Sequence, residues 1–378
     1  MADTHDATPP IEAGLSTVQK VLAGMLIFVP LALLGRFVLN LDPAILFLIS
    51  GLAIIPLAKF IGDGTEELAL HIGPKFGGLL NATLGNAAEL IITIFAIQAG
   101  LLDLVKASIT GSILGNLLLI MGLSLFLGGV KNGIQVFDRR TAGMNATLLV
   151  LAVGALLIPS FFDSAIVGNL SAELGLSEGV AVAMIVLYGL YVFYSFQSQD
   201  KAVVRDSAAK ELDLHHTPKW SVRTSLMVLA ATTLGMVFMS EILVGTVEAV
   251  SESFGLTQIF IGVIIVPLIG NAAEHLVAVQ VAYKNKMELS MAISLGSSLQ
   301  IALFVAPILV FIALLFGQNL LLVFTGFELV AIILAAVVAA FIAQDGESNW
   351  LEGAMLLVLY IIIAVAFFFL PVAQGAVH

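Results

Sequence analysis

LGNAAELIITIFAI, residues 84–97, sets the carboxylate of Glu89 in an apolar run long enough to cross a bilayer, and IGNAAEHLVAVQVA, residues 269–282, does the same with Glu274. A carboxylate in hydrocarbon is costly, so one placed there twice marks a function before it marks a fold. The surroundings are of the same kind. The chain is 60% hydrophobic and 11% charged, with mean hydropathy +1.09, against about 25% charged residues in an ordinary soluble domain. Long uncharged stretches of this type read as membrane helices. Eleven are predicted, at 20–41, 44–60, 78–99, 106–128, 143–161, 177–197, 222–246, 258–282, 290–316, 320–343 and 350–372. The first ends in GRFVLNLDP with no small-residue cleavage pattern and reads as a retained helix rather than a signal peptide. The fold class is therefore an all-α polytopic membrane protein.

Cations fix the expected orientation. With the N-terminus in the cytoplasm, thirteen Lys and Arg fall in inner segments and only Arg36 and Lys106 on the other side. That is the positive-inside pattern, to which Asp and Glu contribute little. The C-terminus is then non-cytoplasmic. Cysteine is absent, which removes disulfides and thiolate metal sites.

The two motifs belong to a longer repeat. At a gapless offset of 185, Gly85 to Glu89 match Gly270 to Glu274, Gly111-Ser112 match Gly296-Ser297, and Leu114 matches Leu299. TEELALHIG (65–73) resembles VEAVSESFG (247–255) at an offset of 182, pairing Glu66 with Glu248. The expected division is a tail and leading helix (1–43), a five-helix repeat (44–197), a charged cytoplasmic linker (198–221) and a second five-helix repeat (222–378). An odd number of helices per repeat inverts the second in the membrane. Inverted repeats are a recurring plan of secondary transporters, with the substrate near the midplane between them.

Asn86 and Glu89 share a helix face, as do Asn271 and Glu274. Neighbouring helices bring Ser112 and Asn116, and Ser297 and Gln300. Two carboxylates ringed by amide and hydroxyl oxygens suit a hard cation such as Ca2+, which takes about 6–8 oxygen ligands. Softer transition metals favour imidazole or thiolate. Without the cation, two close carboxylates in a low dielectric do not both stay charged, so protons take the place that the cation leaves. Mutual exclusion of this sort is the minimum that an exchanger needs. Ser112 and Ser297 either ligate or, following Gly, serve close helix packing. His275 points about 100° away from Glu274 and reads as a packing or supporting residue. Glu66 and Glu248 sit near span ends as vestibule or solvated positions, and Glu241 and Glu328 are candidates for a polar path. Gly85, Gly111, Gly270, Gly296 and Pro267 permit kinks that free backbone carbonyls.

At GGLLNATLGNAAELI (77–91), GSILGNLLLIMG (111–122), GVIIVPLIGNAAEH (262–275) and KNKMELSMAISLGSSLQIALFVAP (284–307) the chain resembles the cation/proton exchanger family of the calcium/cation antiporter superfamily. The segments SEILVGTVEAV (240–250) and DGESNWLEGAMLLVLYIII (345–363) extend the resemblance. It implies an eleven-helix protein of inverted repeats that exchanges Ca2+ for H+ by alternating access. It also implies that Glu89 and Glu274 are essential, with Asn86, Asn271, Ser112, Asn116, Ser297 and Gln300 as ligands and supports. Related sodium/calcium exchangers carry Thr/Ser- and Pro-rich motifs where this chain has GNAAE, which argues against Na+ as the driving ion. A Na+/Ca2+ or broader divalent exchanger is the runner-up. A membrane hydrolase is disfavoured, because no HExxH or Asp-rich Mg2+ motif is present. The expected partners are Ca2+, H+ and the lipid bilayer, with no nucleic acid and no cofactor beyond the transported Ca2+. The short tails favour a prokaryotic cytoplasmic membrane over an acidic organelle such as a vacuole.

Overall fold

The computed structural model describes residues 17–73, 77, 80–81, 83–166, 168–197 and 218–370. Most of the expected linker, with Lys201, Arg205 and Lys210, lies outside the described residues, as do Lys75 and both tails. Among the described residues the fold is all-helical apart from one antiparallel pair of two-residue strands. In chain order the helices are α1 (Val18–Leu39), α2 (Pro43–Ile72), α3 (Ala87–Gln98), α4 (Leu102–Asn132), α5 (Arg139–Ile166) and α6 (Leu170–Gln197). After the linker come α7 (Val222–Phe254), α8 (Gln258–Gly270), α9 (Ala272–Tyr283), α10 (Met287–Leu315), α11 (Gly326–Asp345) and α12 (Trp350–Phe368). Among the described residues nine helices are long and apolar enough to cross a membrane; α8 and α9 pass the same test only as a pair, bent by 62°, and make a tenth when counted as one span.

Several spans are longer than the hydropathy suggested. The second runs to Ile72 rather than residue 60, and the seventh to Phe254 rather than residue 246. Local chemistry sets these ends. Asp42 accepts from the Ala44 N–H at 2.9 Å with Pro43 at the first helical position, and Gly73 stops α2 with φ +83°. Ser221 accepts from the Thr224 N–H at 3.2 Å to start α7, and Gly255 ends it at φ +65°.

The boundaries repeat at the offsets read in the sequence. Displaced by 185, α3 falls on Ala272–Tyr283, the bounds of α9. A π-helical turn interrupts α4 at Gly115–Ile120 and α10 at Ile301–Val305. Displaced by 182, the end of α2 falls on the end of α7. Helices α2 and α7 lie antiparallel, with Gly64 against Leu229 and Gly235 against Leu57. The interior between α4, α9 and α10 is almost wholly buried. From Leu104 to Met121, α4 holds only two residues, Lys106 and Leu119, that are not buried. At one end of the bundle the strands Gln135–Val136 and Glu347–Ser348 pair. The Gln135 amide there donates to the Ala282 carbonyl and to Asn285 Oδ1, each at 3.0 Å, tying α4 to the end of α9.

Candidate cation site

Both motifs lie where a helix breaks. In the second, α8 ends at Gly270, Asn271 is non-helical at φ −91° and ψ 5°, and α9 begins at Ala272. In the first, Gly85 and Asn86 form a turn and α3 begins at Ala87. Each motif asparagine thus stands at a helix start, and each glutamate lies in the first turn after it. A break leaves the terminal carbonyls of the preceding segment without helical partners and aims free N–H groups from the next. The first-turn position sets each carboxylate near the positive end of its helix dipole, which partly offsets the cost of burying it.

The two breaks face one another. A Cβ added at Gly270 would sit 3.4 Å from Glu89 Oε1, so the first carboxylate lies against the backbone of the second break. Glu89 is 5% exposed, and it lines the same cavity as Glu274. That cavity, of about 360 Å3, also reaches Ser297 and Gln300. Ser297 donates to Glu274 Oε2 at 2.7 Å.

The asparagines show what the arrangement is built for. Asn86 donates its amide to Gln300 Oε1 at 2.6 Å, and Asn271 donates to Ser112 Oγ at 3.2 Å. Each bond uses the amide nitrogen and fixes the plane of the group. The carbonyl oxygens, Asn86 Oδ1 and Asn271 Oδ1, are buried and have no protein partner. A buried acceptor without a donor is expensive unless a cation or water meets it. Two carboxylates and two oriented amide oxygens make a hard-oxygen set, with no imidazole among them. Among the described residues no three His, Asp or Glu come together as a metal cluster.

Other expected positions separate from this centre. Asn116 lies in the π-helical turn of α4, with both side-chain polar atoms buried and unpartnered; like Asn86, Asn271 and Ser112 it does not line the cavity, and unlike them it has no hydrogen bond to another predicted position. His275 likewise leaves Nε2 buried without a partner and stays off the cavity wall. Glu328 does not line this cavity. Its Oε1 accepts from Thr110 at 3.1 Å and its Oε2 accepts from the Thr325 N–H and hydroxyl at 2.9 Å, forming the N-terminal capping box of α11. Thr93 gives its hydroxyl to the Glu89 carbonyl at 2.6 Å and serves its own helix. Gly111 is not a kink. It lies mid-helix, where any Cβ would collide with the Val263 carbonyl and the Pro267 ring. Glu66 lines the cavity, whereas Glu241 and Glu248 are exposed on α7.

Two lining residues escaped the sequence reading. Lys59 and Asp63, ion-paired one helical turn apart on α2, border the same cavity as Glu66 and the carboxylate pair. An i, i+4 Lys–Asp pair inside an apolar helix was the available signal. It was lost because the span was taken to end at residue 60.

The family described as sodium/calcium exchanger protein matches residues 43–197 and 224–369. The chain is 45% identical to the Ca(2+)/H(+) antiporter of Aphanothece halophytica over 363 residues, 93% of this chain and 97% of that one. It is also 45% identical to the Ca(2+)/H(+) antiporter ChaA of Bacillus subtilis over 343 residues, 90% and 97% of the two chains. Among solved structures, native YfkE superposes with a TM-score of 0.80 at 42% identity, covering 93% of this chain and 99% of that one. The H+/Ca2+ exchanger CAX superposes with a TM-score of 0.70, covering 92% and 91% of the chains; at 18% identity it speaks for the fold alone.

Proposed function

Because the chain belongs to the sodium/calcium exchanger protein family, we propose that it is a secondary active antiporter of a prokaryotic cytoplasmic membrane, exchanging Ca2+ for H+. The observation that carries this reading is that Glu89 and Glu274 line one cavity, each following a motif asparagine whose buried amide oxygen has no protein partner. Relatives at 45% identity named as Ca(2+)/H(+) antiporters support the choice of ions. The reading is of a transporter and not an enzyme, with Ca2+ as cargo and no cofactor.

In the proposed cycle Ca2+ enters along Glu66 and the Lys59–Asp63 pair, from the side that the cation distribution makes cytoplasmic. It binds between Glu89 and Glu274, with Asn86 and Asn271 supplying carbonyl oxygens. Gln300 and Ser112 hold those amides in place, and Ser297 orients Glu274. The filled site is close to neutral, so the helices around it move past one another at low electrostatic cost. Protons from the far side then neutralise the same carboxylates and release the cation. An empty, doubly charged pair resists the move, which prevents leak.

The rival, a Na+/Ca2+ or broader divalent exchanger, is separated by the driving gradient. In proteoliposomes Ca2+ uptake is expected to follow an imposed pH gradient and to ignore a sodium gradient at fixed pH. Uptake that follows sodium alone would refute the assignment.

A further inference from the structure

Buried polar side-chain atoms without a protein partner are not scattered through the molecule. Apart from the two motif amides and Ser225 and Ser240 on α7, all of them among the described residues lie in α4, α9, α10 or the strand beside them. They belong to Asn116 and Ser124 of α4, His275 of α9, Ser290 and Ser294 of α10, and Gln135. These elements pack on one another. The π-helical turn with Asn116 and the segment Met121–Asn132 with Ser124 both lie against α9 and α10, and the strand Gln135–Val136 lies against α10. None of the six residues lines the cavity that holds the carboxylate pair.

The serines of α10 order this polar interior into a line. Ser297, whose hydroxyl donates to Glu274 Oε2 at 2.7 Å, is preceded by Ser294 and Ser290 at spacings of three and four, which keep one helix face. A buried helical serine ordinarily gives its hydroxyl to the carbonyl four residues back, as Ser298 does to Ser294 at 2.9 Å. Ser294 and Ser290 do not, although both are buried and a hydroxyl left so is costly. Neighbours at three and four residues stand about 5–6 Å apart on a helix, too far for one hydroxyl to reach the next and the span of one bridging water. The line runs about 15 Å from Ser297 to the start of α10 at Met287, followed outward by the exposed Lys286. Gly128 makes room at that end, because a Cβ there would overlap Gln135 Oε1.

We propose that this line is a water file that carries protons between Glu274 and the end of the bundle bearing the strand pair, apart from the cavity through which the cation passes. The inference rests on the transport reading above and adds a second route to it. When Glu274 holds a proton, its O–H donates to Ser297 Oγ. In the hop that O–H bond breaks, Ser297 takes the proton and hands its own hydrogen to the water beside Ser294, and one proton emerges on solvent near Gln135 while a carboxylate stays behind. Asn116, Ser124 and His275 supply further hydrogen-bond partners to the waters, and none of them needs to change charge. Both routes open on one side. The cavity runs to Gly73 and Gly77 at the end of α2, and α3 and α4 cross and return the chain to that side. An entering Ca2+ thus repels protons down the file instead of meeting them in its own passage.

Ser294→Val and Ser294→Thr have the same shape and differ by one hydroxyl, so a steric effect is common to both. In proteoliposomes of the full chain, Ser294→Val is expected to slow H+-driven Ca2+ exchange several-fold at unchanged Ca2+ KM and to leave Ca2+/Ca2+ exchange at equal pH near the wild-type rate. Ser294→Thr is expected to restore the proton-driven mode. Equal slowing of both modes, as for a packing role, no slowing of either, or a Thr variant as slow as the Val one would overturn the proposal. The unmutated chain gives an independent reading, since radiolytic hydroxyl-radical footprinting oxidises buried side chains that adjoin internal water. Met287, 1% exposed on the serine face two turns before Ser294, is expected to oxidise several-fold faster than Met184 of α6, 2% exposed. Equal protection of the two would also overturn it. Absence of proton-driven uptake by the unmutated chain removes the transport reading itself, whereas uptake that Ser294→Val leaves intact removes only this inference.

Discussion

Glu89 and Glu274 stand apart from the other intramembrane carboxylates by what surrounds them. Glu328 has both oxygens satisfied by Thr110 and Thr325, so its burial needs no ligand. Replacing it with Gln is expected to leave Ca2+ transport near the wild-type level and to cost about 1 kcal/mol of stability through the lost cap, read as a lower melting temperature in detergent. Glu89→Gln or Glu274→Gln is expected to do the opposite. Ca2+ affinity should fall by at least about 100-fold, near 2.8 kcal/mol, as for removing one partner of a buried charge pair, while the fold is retained. Calcium titration together with thermal unfolding separates the two patterns. This distinction was partly legible in the sequence. The motif pair announced itself because it occurs twice in one register, whereas Glu328 looked alike in composition and differed only in the Thr110 and Thr325 that the fold brings to it. The orphaned amide oxygens of Asn86 and Asn271 were not legible at all, because Gln300 lies 214 residues from the first and Ser112 159 from the second.

Among the helices, function depends on two breaks and one close approach. Gly270 and Gly85 were correctly suspected of interrupting their helices, whereas Gly296, and with it Gly111, lies inside a continuous helix. The role of Gly111 is to let α4 press against the backbone of α8. Gly111→Val is therefore expected to destabilise the protein by about 1–3 kcal/mol through overpacking, and to lower transport because α8 carries the second break. Thermal unfolding of the purified variant checks the first effect and vesicle uptake the second. The π-helical turns at Gly115–Ile120 and Ile301–Val305 left no mark in the hydropathy pattern. Both follow directly on site-bearing helix segments, and their recurrence at matched positions ties them to the repeat rather than to local strain. The α2 boundary was missed because Lys59 and Asp63 lower the hydropathy near residue 60. Their ion pair lets the helix continue to Ile72 and carry Glu66 to the cavity.

At the scale of the whole molecule, the proposed cycle has one site serve two ions that exclude each other, and that exclusion has a definite pH dependence. Protons and Ca2+ compete for the same carboxylates, so apparent Ca2+ affinity must weaken as pH falls. The limit is about 100-fold per pH unit where two protons leave for each cation bound. Weakening on raising the pH would carry the wrong sign for this scheme. Composition and the motifs made the membrane class readable from the chain alone, and the paired motifs singled out the two glutamates that the fold brings to one cavity. The walls of the path were less so, since they depend on how α2 and α7 turn relative to the bundle. The central claim is that Glu89 and Glu274 bind Ca2+ or protons but not both. Calorimetric titration of the purified protein with Ca2+, in two buffers of different ionisation enthalpy, counts the protons released on binding. The account predicts proton release for the wild-type chain and loss of Ca2+ binding in Glu89→Gln and Glu274→Gln. Tight binding with no proton release, or binding retained in either variant, would contradict it.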